Sequence, residues 1–284
     1  MSYSTDAFAK RLPHLLDATD QLVYLSSSRV YAESKSPITE ESPRLLDVCR
    51  DADYVSTDEY ALAKARQENL LKQSGRTNWT IIRPYVTFSE YRLQLSCLEK
   101  EYWLHRALAG KTIVYSKDLA DKVTTLTYGE DVARGIYAIL GQDKAMGEAF
   151  HITCNEHHKW SELFQVYLDV IEEKTGKRPK VLLTDKWQHY MGGGAMQVKY
   201  DRLYNRVFDN SKIGQFIDTT TFSETKVALT NCIKSFIDRP SWLFVNWTSE
   251  ARKDVLTGDW TNLSQIPGWK TKIKYLLIRL RLHK

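Results

Sequence analysis

Two tyrosines have a lysine four residues on: Tyr31 with Lys35, and Tyr60 with Lys64. An ammonium beside a phenol favours the ionised form and moves it from about 10 toward the range of a proton-transfer catalyst. With 16 tyrosines in a lysine-rich chain, about one such match is expected by chance, so spacing alone decides nothing. Context separates the pairs. Lys35 lies just before Pro37, where a helix is disfavoured, whereas Tyr60 and Lys64 share a stretch of helical periodicity, in which i and i+4 fall on one face. The serines Ser26, Ser27 and Ser28 follow an apolar run, and a strand-end hydroxyl could fix the oxygen whose proton Tyr60 moves. Open α/β sheets bind ligands at the carboxyl ends of their parallel strands. On spacing and context alone, a surface Tyr/Lys pair beside a serine-rich turn is the competing reading.

The elements that must hold these groups follow from periodicity. Phe8, Leu12, Leu15 and Leu16 mark a helix over 6–17, with Ser4, Thr5 or Asp6 as its cap. Residues 21–25 read as a buried parallel strand, and 34–58, with Pro37 and Pro43 and many acids, as a long loop. A helix over 59–73 is closed by Gly75, and a strand over 79–82 ends at Arg83-Pro84. Two strand, loop and helix passages predict an α/β sheet with parallel strands. Beyond Pro84 the pattern predicts helices over 97–109, 131–140 and 159–174 and a strand over 149–153. Gly192-Gly193-Gly194 precedes no GK[ST] and reads as a loop. After Pro240 the chain is Trp-rich and irregular until its basic end.

Together the motifs become specific. Ser26-Ser27, then Val30-Tyr31-Ala32, the loop from Pro37 to Pro43, Tyr60 with Lys64 and Glu68, and Arg83-Pro84 follow the order found in extended short-chain dehydrogenases/reductases. The chain resembles that family, the NAD-dependent epimerase/dehydratases of nucleotide-sugar metabolism, from about residue 20 to 220. The resemblance implies that Ser27 hydrogen-bonds the reacting oxygen, that Tyr60 is the general acid/base, and that Lys64 holds the nicotinamide ribose. Pro84, Tyr85 and Val86 would border the nicotinamide of NAD or NADP. It further implies a nucleotide sugar as substrate and hydride transfer at a sugar carbon.

The chain departs from the family at its front. No GxxGxxG or GxGxxG occurs anywhere in it, and the likeness begins near residue 22, where roughly 70 to 100 residues precede that strand in a complete dinucleotide fold. Val86 replaces the usual Asn, Ser89 the usual Gly, and Gly129 and Glu130 replace typical residues of a later element. The expected architecture is therefore an incomplete Rossmann-type parallel sheet with a mostly helical substrate-type domain. Residues 1–90 and 124–153 would form the cofactor region, 91–123 and 154–240 the substrate-type region, and 241–284 an extension. A sheet short of strands would leave an apolar edge beside Val23 and Leu25. Two functions stay open: an epimerase/dehydratase-like oxidoreductase inactive by itself, and a non-catalytic scaffold or subunit completed by an N-terminal partner chain or a second copy.

Composition narrows the rest. At 43% apolar and 26% charged over 284 residues, disorder and small disulfide scaffolds are excluded. Cys49, Cys97, Cys154 and Cys232 are far apart, and the opening lacks the apolar core of a secretory signal, so a cytoplasmic protein with free thiols is expected. His157-His158 and the isolated carboxylates have no metal-ligand spacing. The net charge is +5, yet residues 270–284 contain six Lys/Arg and no acid, leaving a near-neutral body. That distribution argues against nucleic acid as a partner. In the basic end, Trp269, Ile273, Leu276, Leu277 and Leu280 share a helical face, which suits either docking on the body or peripheral contact with an anionic membrane.

Overall fold

The computed structural model describes residues 4–189 and 194–281. Gly192 and Gly193 of the glycine run, and Lys284 of the basic end, lie outside the described residues. The longer strands are β1 (Leu22–Leu25), β2 (Trp79–Pro84), β3 (Ile113–Ser116), β4 (Glu148–Ile152) and β5 (Val181–Thr184). The longer helices are α1 (Thr5–Asp17), α2 (Tyr60–Lys72), α3 (Lys100–Leu108), α4 (Gly129–Ile139), α5 (Trp160–Thr175), α6 (Thr225–Asp238), α7 (Trp247–Thr257) and α8 (Trp269–Arg279). Two stretches hold more helix than the sequence suggested. The loop 34–58 contains short helices at Leu45–Val48 and Ala52–Ser56, the second capped by Asp51, and the Trp-rich stretch after Pro240 contains α7, capped by Asn246.

The chain divides into two compact units, Met1–Phe88 with Val123–His158 and Lys199–Thr225, and Ser89–Lys122 with Lys159–Val198 and Lys226–Lys284. The first unit is built on a parallel sheet in the order β1-β2-β4. Tyr24 pairs with Ile81 and Leu25 with Ile82, so successive side chains go to opposite faces. One face carries Tyr24 and Ile81 and packs under α1 and α2 against Phe8, Leu12, Leu16 and Leu71. The other carries Val23, Ile82, Phe150 and Ile152 and packs on Ile136 and Ile139 of α4 and on Ile213 and Phe222. A sheet covered on both faces is the α/β architecture that the periodicity predicted. Among the described residues β1 pairs with β2 alone, and Leu25 at its end is 53% exposed.

The second unit contains the parallel pair β3 and β5. Trp103 of α3 and Tyr167 of α5 pack with ring centroids 4.5 Å apart. Helices α7 and α8 lie against each other around Ala251, Ile266 and Tyr275. A buried charge network ties α7 to α3 and to Lys111: Arg106 of α3 reaches Glu250 and Asp254 at 2.8 Å each, and Lys111 reaches Asp254 at 2.9 Å.

Candidate active site

Each candidate is placed by the first unit's sheet. Strand β1 ends at Leu25, and Ser27 caps the short 3-10 turn Ser28–Val30, its Oγ accepting from the Arg29 N–H at 3.2 Å. Helix α2 starts at Tyr60 because Glu59 caps it, one carboxylate oxygen accepting from the Ala61 N–H at 2.8 Å. One turn later Lys64 is on the same face, with its Nζ 5.8 Å from the Tyr60 ring centroid. The ammonium donates to the Leu25 carbonyl at 2.7 Å, which ties α2 to the carboxyl end of β1, two residues before Ser27. Arg29 completes the connection: its backbone bonds Ser27, its guanidinium is 5.2 Å from the Tyr60 ring centroid, and it pairs with Glu59 at 2.6 Å. Ser27 and Lys64 are buried, whereas Tyr60 is 40% exposed.

Burial lowers the Lys64 ammonium below the ordinary lysine range, and the Glu68 carboxylate opposes that shift. Glu68 is fully buried and takes four hydrogen bonds: Ser26 Oγ at 2.6 Å, Arg83 Nε at 2.9 Å and Nη2 at 2.8 Å, and Arg44 Nη1 at 3.2 Å. Burial would raise its carboxyl, but the Arg83 charge and these hydrogen bonds hold it below the ordinary range. Arg83 also donates to the Tyr31 hydroxyl at 2.9 Å. Tyr31 is therefore a buried structural residue, and burial pushes its phenol far above the ordinary value.

Pro84, Tyr85 and Val86 follow at the carboxyl end of β2, the same end of the sheet as Ser27. Pro84 pairs with Ile152, Tyr85 is buried with the Arg202 guanidinium 5.6 Å from its ring centroid, and Val86 has φ +33°. A β-branched residue adopts that backbone only under strain. The structure thus brings Tyr60 and Lys64 together and ties Ser27 to both through Leu25 and Arg29. It sets residues 84–86 at the same sheet end, where the Tyr85 hydroxyl accepts from Arg202 at 3.4 Å. Sequence reasoning noted Glu68 and Arg83 as motif positions but missed that they form a buried pair under the serine strand end, and it missed Arg29 altogether. An arginine two residues past the candidate serine, with an acid just before the candidate tyrosine, was the available signal.

Residues 8–153 match the NAD dependent epimerase/dehydratase family. The chain belongs to that family. A curated relative, chloroplast stem-loop binding protein of 41 kDa b from Arabidopsis thaliana, is 30% identical over 138 residues, covering 49% of this chain and 32% of that protein. The chain thus spans about a third of that relative's length. UDP-glucuronic acid 4-epimerase from Bacillus cereus, solved with UDP-glucuronic acid and NAD, matches at 17% identity and TM-score 0.59, over 82% of this chain and 67% of that one. The dTDP-glucose 4,6-dehydratase DesIV from Streptomyces venezuelae, solved with NAD and TYD, matches at 18% identity and TM-score 0.60, over 83% and 67%. These likenesses establish a Rossmann-type epimerase/dehydratase fold.

The family's cofactor fits the residues here in part. Lys64 and residues 84–86, which the resemblance assigns with Tyr60 to the nicotinamide and ribose end, lie at the carboxyl ends of β1 and β2. A pyrophosphate needs backbone N–H groups at a glycine turn between a strand and a helix. Among the described residues Gly129 is the glycine that joins a strand, Thr127–Tyr128, to a helix. A Cβ there would be 3.4 Å from the Phe88 carbonyl oxygen, so Gly129 faces packed backbone rather than an open cradle. Among the described residues, no strand-to-helix glycine turn offers the open backbone cradle that a dinucleotide pyrophosphate needs. No described group of His, Cys, Asp or Glu could hold a metal ion.

Proposed function

We propose that Ser27, Tyr60 and Lys64 form the proton-transfer part of an epimerase/dehydratase-type site for a nucleotide sugar, and that these 284 residues are inactive by themselves. The observation that carries this reading is the Lys64 ammonium, held on the Leu25 carbonyl and beside the Tyr60 ring. In it, Tyr60 gives or takes the proton of a sugar hydroxyl, Ser27 hydrogen-bonds the same oxygen, and Lys64 stabilises negative charge developing on the phenol. Pro84, Tyr85 and Val86 would border a nicotinamide, which supplies hydride chemistry when bound, as NAD or NADP. The two regions would divide the work, with 1–90 and 124–153 toward the cofactor and 91–123 and 154–240 toward the sugar. Cytoplasmic residence accords with four free cysteines. The Arabidopsis relative's name refers to stem-loop binding. A near-neutral body, with the chain's excess positive charge concentrated at residues 270–284, favours a small-molecule ligand over nucleic acid for this chain.

A second reading, a scaffold or subunit completed by another chain or a second copy, is favoured by the exposed Leu25 and by β1 pairing on one side alone among the described residues. Calorimetric titration with NAD separates the parts. The chain alone is expected to show no saturable binding up to millimolar NAD. With a glycine-rich strand, turn and helix fused ahead of residue 20, saturable binding is expected, weakened about tenfold by Lys64→Ala, the loss of one charge-assisted contact. Micromolar binding by the chain alone refutes its proposed inactivity. A fusion that binds equally well with Lys64→Ala, or not at all, refutes the site and leaves the scaffold.

A further inference from the structure

Helix α8 has two apolar sides. Tyr275 is fully buried, and Leu276 and Ile278 pack with it against α7 and Ile266. The helix is docked, but not by the whole face that the sequence suggested: only Leu276 of that face turns inward. Trp269, Ile273, Leu277 and Leu280 remain 67%, 48%, 36% and 52% exposed. At 100° per residue these four lie within an arc of about 80°, roughly opposite Tyr275. Lys270 and Lys274 fall along one flank of this stripe and Lys272 and Arg279 along the other. Residues 260–284 contain no Asp or Glu, and among the described residues Lys270, Lys272 and Lys274 make no ion pair. No helix of the described residues is long and apolar enough to cross a membrane.

We infer that the outer face of α8 is an interfacial membrane-binding surface for anionic phospholipid. A docked helix that leaves a tryptophan and three aliphatic residues in water, with cations on both borders and no acids, has the pattern of a helix lying in the plane of a bilayer. The apolar stripe enters the acyl boundary, Trp269 sits at the headgroup level, and the lysines meet lipid phosphates. The positive borders select the occupant: an anionic lipid surface complements them, whereas the mainly neutral body of a second copy offers no matching charge. This inference is independent of the proposed catalytic site.

Co-sedimentation of the full chain with vesicles tests it. Binding to phosphatidylcholine vesicles containing one third phosphatidylserine is expected to exceed binding to pure phosphatidylcholine at least tenfold, and to weaken several-fold between 50 and 300 mM salt, as a screened surface attraction does. Ile273→Ser with Leu277→Ser, both at exposed positions, is expected to abolish binding with an unchanged circular dichroism spectrum. Lys270→Gln with Lys272→Gln and Lys274→Gln is expected to reduce it at least tenfold. Three results overturn the inference: no binding to the anionic vesicles at low salt; binding unaffected by the double serine variant; or sedimentation equilibrium showing a dimer that the double serine variant dissociates, which assigns the stripe to a second copy.

Discussion

Replacing Glu68 by Gln tests the support beneath the candidate serine. The wild-type carboxylate is fully buried and shares its two oxygens among four donors, three of them on Arg83 and Arg44. The fourth is the Ser26 hydroxyl, next to Ser27. A glutamine keeps one acceptor oxygen and turns an NH2 toward two of those donors, while Arg83, 1% exposed, keeps a positive charge without its counter-ion. Removing one member of a buried ion pair costs about 3–5 kcal/mol, a large part of the roughly 5–15 kcal/mol that holds a domain folded. Urea unfolding of the two proteins at pH 7 measures the difference as a fall in midpoint with an unchanged slope. The carboxyl is held below its unfolded value, so its contribution is complete above the ordinary carboxylate range and is lost as the pH falls through the folded value. The stability gap between Glu68→Gln and wild type should therefore narrow in acid. A loss below about 1 kcal/mol at pH 7, the worth of an exposed pair, would refute the claim that this network holds the strand end.

Further outcomes follow from other contacts. Gly135→Ala adds a Cβ 2.7 Å from Ile152 Cγ2, and the overpacking should outweigh the gain of about 1 kcal/mol in helix propensity; urea unfolding should show a net loss of about 1–2 kcal/mol, and a stabilised variant would contradict the packing. Lys253 is buried, and burial pulls its ammonium down to about 8, with Glu250 opposing. Between pH 8 and the ordinary lysine value of 10.5 the unfolded chain binds a proton that the folded chain has released, so wild-type stability should gain a rising contribution there. Lys253→Met should lack that contribution, and parallel pH profiles for the two proteins would exclude it. Ser27→Ala removes a buried hydroxyl that accepts from the Arg29 N–H, and thermal unfolding should show a loss of about 1 kcal/mol.

The fold was legible where one signal dominated. The strands around Val23 and Ile81 are short apolar runs stopped by serines or Arg-Pro, and α1 and α2 repeat leucines and alanines at helical spacing with good caps. Tyr60 was separated from Tyr31 by local context; in the fold Tyr60 opens α2 with Lys64 one turn on, whereas Tyr31 is buried against Arg83. Other features depend on partners distant in sequence. Arg106 and Asp254 look like solvated charges until the fold brings them together across a separation of 148 positions. Helix α7 is weakly amphipathic because Glu250, Lys253 and Asp254 are themselves buried, so an apolar count reads it as irregular. The inward turn of Leu276 is set by packing against α7, which periodicity does not encode.

The most direct measurement is a crystal structure of this chain with a nucleotide sugar such as UDP-glucuronic acid. The account predicts one sugar hydroxyl at about 2.6–3.2 Å from both the Tyr60 and Ser27 hydroxyls, with the Lys64 ammonium still on the Leu25 carbonyl. A sugar bound elsewhere, or Tyr60 and Ser27 facing different sides of β1 with no shared ligand atom, would contradict it.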